Sequence, residues 1–402
     1  MKKVKGGITA VTGFFASGLH CGIKLKKQPD LALIYSDVPS TAAGVFTANQ
    51  FQSAPLKVTQ RHLSKKHQLQ AVVINSGNAN AFTGTKGLRD ANAMAAETAR
   101  SLHLKNDRVG VSSTGVISAP LPLEKILLNI SDAVRHLSPK GSRAAAQAIM
   151  TTDTQIKETA YQTKINNKVI TVGGIAKGSG MIHPNMATML CFLSTDIRIP
   201  YNILQKALHQ AVETSFNSIS VDGCMSPNDM VLCMANGKKS VGPLQGSGPL
   251  FRKFSALLQK VCTDLAQKIV RDGEGATKFV ELRVQGAPSS QWAKKVGTAV
   301  ALSPLVKTAF FGEDANWGRI LSAVGNCGLK ISEKQVDISF GGMPLVKNGT
   351  TNPRISEKKI NQYLKGKNIV ITLDLHTGKG KWVIWTCDFS YDYVRINASY
   401  RT

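Results

Sequence analysis

At 402 residues with 43% hydrophobic side chains, the chain has the length and apolar content for two domains or one large α/β unit. No stretch reaches the about 18 uninterrupted apolar residues of a membrane span, and the basic start Met1-Lys2-Lys3-Val4-Lys5 lacks the apolar run of a signal peptide, which points to the cytoplasm. The formal charge of +25 invites a nucleic-acid partner, but the lysines are scattered in pairs such as Lys65-Lys66 and Lys294-Lys295, with few aromatics and no zinc-finger or RNA-recognition pattern, so a solvated basic surface that draws in small anions is the better reading.

The first part of the chain alternates strands and helices. Leu69 to Ile74 reads as a buried strand running into the turn-rich Asn75-Ser76-Gly77-Asn78-Ala79-Asn80. From about Leu88 to Leu104, Ala91, Met94, Ala95, Thr98 and Leu102 share one face at helical spacing. Arg108 to Val111 looks like a strand delivering Ser112-Ser113-Thr114-Gly115, and Pro122 to Leu137 and Ser142 to Met150 look helical. Thr159 to Gly173 alternates around Asn166-Asn167, a hairpin signal. Further on, Tyr201 to Phe216 and Leu250 to Arg271 read as helices separated by a strand from Met230 to Met234. Phe279 to Val284 is a strand, Ser303 to Phe310 and Trp317 to Val324 are helical, and the end is strand-rich at Val336 to Phe340, Asn368 to Leu375 and Trp382 to Asp388. The whole reads as one intertwined α/β unit with a smaller subdomain between about 200 and 280. Seven cysteines, without a Cys-x-x-Cys pair, fit reduced thiols rather than a disulfide framework.

The chemistry concentrates in Lys177-Gly178-Ser179-Gly180-Met181-Ile182-His183-Pro184-Asn185-Met186-Ala187-Thr188-Met189-Leu190. The lysine precedes the glycines, the reverse of a Walker loop, and the chain has neither a Gly-x-Ser-x-Gly elbow nor a His-Glu-x-x-His motif. His183 reads as a loop residue or as a base. Thr188 opens the apolar run Met189-Leu190-Cys191-Phe192-Leu193, with small Ala187 before it. It reads either as an ordinary strand-edge threonine or as a hydroxyl that attacks the Ala187 carbonyl. In the second case an N→O shift gives an ester that water opens. The freed α-amine, with an intrinsic pKa of about 8, can then deprotonate the hydroxyl beside it.

Ordered blocks along nearly the whole chain resemble the glutamate N-acetyltransferase (ornithine acetyltransferase) family. They are Gly6-Gly7-Ile8-Thr9-Ala10, Val45-Phe46-Thr47, Asn75 to Asn80, Ser113-Thr114-Gly115-Val116-Ile117, Thr151-Thr152-Asp153-Thr154, the Lys177 to Leu190 stretch, Val221-Asp222-Gly223, Asp272-Gly273-Glu274-Gly275-Ala276-Thr277-Lys278, Asn316-Trp317-Gly318-Arg319-Ile320 and Asn397-Ala398-Ser399-Tyr400-Arg401-Thr402. The resemblance implies an α/β (α+β) sandwich of sheets and helices of the N-terminal-nucleophile type. It implies self-cleavage between Ala187 and Thr188 into fragments 1–187 and 188–402, assembled as α2β2. It also implies a ping-pong transfer of acetyl from N-acetylornithine to glutamate through Thr188, in arginine biosynthesis, with no metal or resident cofactor. Nothing legible separates members that also take acetyl-CoA as donor from those that only recycle acetyl.

Residue by residue, the resemblance assigns oxyanion stabilisation to Thr114 and Gly115, and substrate binding to Thr151, Lys177, Thr188, Glu274, Asn397 and Thr402. From the residues alone, Thr152 is an alternative to Thr151 and either caps a turn as readily, a solvent-facing loop lysine is the favoured reading of Lys177, and Asp-Gly-Glu-Gly is more often a helix stop. The chain departs from the family pattern at Cys224-Met225-Ser226-Pro227, Ser118, Phe82 and Ala315. With water as acceptor, the same threonine would make an amidase or aminopeptidase.

Overall fold

The computed structural model describes residues 1–25, 27–183 and 189–399. Two compact units are formed, one from Met1–Met181, Asn185–Asn217 and Cys224–Ile269, the other from Ile182–Pro184, Ser218–Gly223 and Val270–Thr402.

The first unit is built on strands β1 (Lys2–Val4), β2 (Phe14–Leu19), β3 (Leu31–Phe46), β4 (Gln68–Asn78), β5 (Val109–Val116), β6 (Lys157–Ile165), β7 (Lys168–Lys177), β8 (Leu190–Ile197) and β9 (Met230–Lys239). Its helices are α1 (Ala54–Lys66), α2 (Gly84–Ser101), α3 (Leu123–Arg135), α4 (Ser142–Ala148), α5 (Tyr201–Glu213) and α6 (Gly248–Arg271). The strands form one sheet in the order β1-β6-β7-β8-β9-β3-β4-β5, with β2 also pairing β3. Both faces of the sheet are covered, because successive strand side chains point to opposite sides. In β4, Val72 and Ile74 join one core with Ala145 and Ile149, whereas Ala71 and Val73 join the other with Met94 and Ile130.

Strand β8, which follows the glycine-rich loop, lies at the centre of this arrangement. Leu190, Cys191, Phe192 and Leu193 are all buried, which explains a continuous apolar run where a half-exposed strand would alternate. Leu190 and Phe192 pack with Met230, Leu232 and Ile175. On the other side, Cys191, Cys233 of β9 and Cys262 of α6 lie together, and burial pushes the Cys233 thiol up to about 12. Such thiols are inert, and all seven cysteines are unbonded, as the sequence suggested.

The second unit contains β10 (Phe279–Ala287), α7 (Ser290–Leu302), α8 (Pro304–Phe311), α9 (Trp317–Gly325), β11 (Asp337–Phe340), β12 (Met343–Lys347), β13 (Thr350–Thr351), α10 (Glu357–Leu364), β14 (Asn368–Asp374), β15 (Gly380–Cys387) and α11 (Tyr391–Ala398). Its sheet runs β13-β12-β11-β14-β10-β15. Val280, Leu282 and Val284 of β10 point into a core with Val296 and Val300 of α7. The α/β expectation is met, and the Asn166-Asn167 turn does join the β6–β7 hairpin, with both residues at positive φ. Among the described residues, no helix is long and apolar enough to cross a membrane.

Truncating Phe192, 1% exposed at the centre of β8, should cost about 3–5 kcal/mol of stability. Denaturant unfolding of Phe192→Ala checks this. A change within about 0.5 kcal/mol, as expected of a surface site, would contradict the packing described.

Candidate active site

The chain leaves the sheet at Lys177, the last residue of β7, and re-enters at Leu190, the first of β8. Lys177 and Leu190 are direct antiparallel partners. Leu190 pairs in turn with Met230 at the start of β9, this time in parallel. Ala187 and Thr188 lie outside the described residues, as does Thr402. The positions flanking them show how the loop is held. On the near side, the Ile182 N–H donates to Asp222 Oδ1 (2.9 Å), and the Ile182 carbonyl accepts the Val221 N–H (3.0 Å) and the Ser220 hydroxyl (3.2 Å). The Val221-Asp222-Gly223 block therefore holds Ile182. On the far side, the Met189 N–H donates to Asp229 Oδ1 at 2.9 Å.

A second carboxylate organises the base of the loop. Asp153 Oδ1 accepts the Gly178 N–H (2.8 Å) and the Lys157 ammonium (2.7 Å), while Oδ2 accepts the Thr151 N–H (3.0 Å). Burial alone would raise this acid, but the charges of Lys177 and Lys157 outweigh it and hold the carboxyl far below the ordinary range. Thr151, half-buried, and Lys177, buried, are thus brought to one anchor. Thr152 is half-buried beside them, and the geometry gives Thr151 the direct backbone link to Asp153.

Lys24 belongs to the same charge cluster. Its ammonium donates to the Pro29 and Met150 carbonyls (2.8 and 2.7 Å), and burial lowers it to about 8 against the pull of Asp30 and Asp153. Sequence reading passed over it because Lys24 to Lys27 looks like ordinary surface charge. Asp153 was visible in its block, but nothing in the spacing showed its side chain turning inward.

Thr114 and Gly115 sit where the parallel β4–β5 ladder loses register, at Gly77 and Asn78. Such a break leaves backbone groups off the strand pairing. Gly115 has φ +132°, and a Cβ there would come within 2.3 Å of the Gly77 carbonyl carbon, so only glycine fits. The preceding residue is fixed twice: Ser113 Oγ donates to Asn75 Oδ1 (2.5 Å), and its carbonyl accepts from Asn228 Nδ2 (2.9 Å). Thr114 is buried, at 3% exposure. Phe82 and Ser118, two of the departures, both adopt a left-handed φ of +60°, a conformation that favours glycine.

In the second unit, Glu274 is buried in the loop that follows α6, and its Oε2 accepts from Asn397 Nδ2 of α11 at 2.8 Å. The structure thus joins these two sequence candidates directly. Gly275 keeps the approach open, since a Cβ there would lie 2.5 Å from the Tyr393 nitrogen. His183 is held neutral by burial, partly offset by Asp222, and its Nδ1 has no hydrogen-bond partner among the described residues. Among the described residues, no cluster of His, Cys, Asp and Glu is arranged to hold a metal.

A family model described as the ArgJ family matches residues 15–402. The chain belongs to the ArgJ family. It is 47% identical over 397 residues to an arginine biosynthesis bifunctional protein ArgJ of Geobacillus kaustophilus, covering 99% of this chain and 96% of that protein. The crystal structure of an arginine biosynthesis bifunctional protein ArgJ from Bacillus halodurans is 47% identical, with a TM-score of 0.44, over 46% of this chain and 97% of the solved chain. That of an ornithine acetyltransferase complexed with ornithine, from Mycobacterium tuberculosis, is 40% identical with a TM-score of 0.43, over 46% and 97%. As a member of the ArgJ family, the chain is an acyltransferase of arginine biosynthesis.

Asp153→Asn leaves the buried Lys157 ammonium without its counter-charge and should cost about 3–5 kcal/mol at neutral pH. Because the folded carboxyl is depressed, its contribution is present above the unfolded value of about 4 and fades as pH falls toward the folded one. Unfolding curves at neutral and acid pH should therefore converge for the variant and the parent as pH falls. A constant gap would contradict this linkage.

Proposed function

We propose that this ArgJ-family chain cuts itself between Ala187 and Thr188 and then carries acetyl from N-acetylornithine to glutamate on the Thr188 hydroxyl. The observation that carries the proposal is the pairing of Lys177 with Leu190, the two ends of the loop that contains the bond. A cut inside such a loop leaves β7 of the fragment Met1–Ala187 paired with β8 of the fragment Thr188–Thr402 in one sheet.

In the cut, Thr188 Oγ bonds to the Ala187 carbonyl carbon, the C–N bond breaks, and the hydroxyl proton passes to the released nitrogen. Water then opens the ester. In transfer, Oγ attacks the acetyl carbonyl of N-acetylornithine, and the α-amine takes the hydroxyl proton and gives it to the departing ornithine amine. Glutamate reverses these steps. Each half-reaction passes an oxyanion, for which the broken β4–β5 ladder end at Thr114–Gly115 supplies donors. Thr151 and Lys177 are assigned to one part of the substrates, Lys177 as a point charge for a carboxylate. Glu274 and Asn397 are assigned as further contacts, with Thr402 following the family pattern. Assembly as α2β2 and use of acetyl-CoA as a second donor rest on the resemblance alone.

Intact mass spectrometry of the purified protein should show the two fragments, and Thr188→Ala should run as one uncut chain without activity. A stable full-length chain that still transfers acetyl would overturn the mechanism. Isotope-labelled N-acetylornithine should pass its acetyl to glutamate, whereas release of acetate independent of glutamate would point to a hydrolase. Labelled acetyl-CoA with glutamate decides the second donor.

A further inference from the structure

Asn228 is a buried amide, 5% exposed, in the loop that leads into β9. Its backbone N–H donates to Ser226 Oγ (3.0 Å), a local turn that sets where the side chain starts from. Both hydrogens of Nδ2 then go to main-chain carbonyls far away in sequence. One is Ala79, just past the end of β4, at 2.7 Å, and the other is Ser113 in β5, at 2.9 Å. Two carbonyl partners demand the NH2 end of the amide, which fixes its orientation. Oδ1 is buried and has no hydrogen-bond partner among the described residues. An unmatched buried acceptor is costly, so the position is built around the two donors.

The two carbonyls bracket Thr114–Gly115. The Ser113 carbonyl shares one planar peptide unit with the Thr114 N–H, so a bond to the oxygen fixes the direction of that N–H. Ala79 reaches the other side, because its own N–H donates to the carbonyl of Val116, the residue after Gly115, at 2.9 Å. One amide thus holds β5 directly before the turn and, through Ala79, after it. The ladder cannot do this alone, since β4 and β5 shift register at Gly77 and Asn78. Asn75 adds a tie on the β4 side, donating from Nδ2 to the Asn78 carbonyl (2.8 Å) while its Oδ1 accepts the Ser113 hydroxyl. We propose that Asn228 is a positioning residue for acetyl transfer: its two donors hold the Thr114–Gly115 turn in the geometry that stabilises the oxyanion. This rests on the acetyl-transfer reading above, and Asn228 acts through the backbone rather than on substrate.

The test compares the parent protein with Asn228→Ala, which removes both donors. The turn is assigned to the transfer and not to the cut, so intact mass should show Asn228→Ala cut into both fragments, and rates are counted per cut molecule. With N-acetylornithine and glutamate, kcat should fall about a hundredfold while both KM values stay within about threefold, because a misplaced oxyanion donor is felt only in the transition state. Both half-reactions should slow alike: ornithine release without glutamate, and acetyl passage from the loaded enzyme to glutamate. Ser226→Ala loosens the Asn228 turn but keeps the amide; it should lose about tenfold in kcat and serves if Asn228→Ala does not fold. A merely structural Asn228 would change the yield of folded protein and leave the rate per cut molecule alone. Near-parental kcat in either variant, a loss carried by KM, or a folded variant that stays uncut would each overturn the proposal. A parent protein that transfers no acetyl would instead overturn the reading on which it rests.

Discussion

The alignment of three strand ends governs this structure. The end of β7 and the starts of β8 and β9 meet in the sheet, so Lys177, the chain just after Thr188, and the chain just after Asp229 are held side by side by ladder hydrogen bonds. None of the three positions can shift without breaking pairing or uncovering Leu190 and Phe192 from the core. If the proposed cut is made, the new chain end needs such rigidity close by, because chain ends ordinarily fray. Strand β8, which begins at Leu190, has neighbours on both sides.

Electrostatics follow from that placement. Asp153 and Asp229 both feel the Lys177 charge, yet they settle at opposite extremes. Asp153 has two ammonium groups and backbone donors around it and stays ionised. At Asp229 burial is the largest influence and outweighs the Met189 N–H, the Lys177 charge, the Thr47 hydroxyl and the Ser226 backbone together. The same residue type is thus held ionised in one place and pushed toward its neutral form in another, and the surroundings alone make the difference.

Much of this was legible in the sequence, and what was missed has a pattern. The loop from Lys177 to Leu190 stood out by its residue types, whereas Thr114, Gly115, Glu274 and Asn397 could be named only through the family resemblance. The long helix ending at Arg271 and the Asn166-Asn167 hairpin were legible because periodicity and turn chemistry are local. The long bent strand β3 was not, because its Pro39, Ser40 and Gly44 read as breakers while β4 and β9 pair with different stretches of it. Asp153 and Asp229 escaped for a related reason: an aspartate in a loop ahead of a strand looks like a turn residue until its partners are known. Thr188 and Thr402 lie outside the described residues, so their side of the site rests on the resemblance.

The sheet order has a further consequence for how the protein is made. β8 and β9 lie between β7 and β3, so residues beyond position 188 fill the middle of a sheet whose flanks come from earlier in the chain. An uncut chain assembles this sheet as a unimolecular event. Once the proposed cut is made, an unfolded molecule becomes two pieces, each lacking the strands that cover its apolar faces, and refolding becomes a bimolecular search that slows on dilution. Cutting would then work as a ratchet: the chain folds once while whole, and afterwards its persistence depends on how slowly it unfolds rather than on how readily it could fold again.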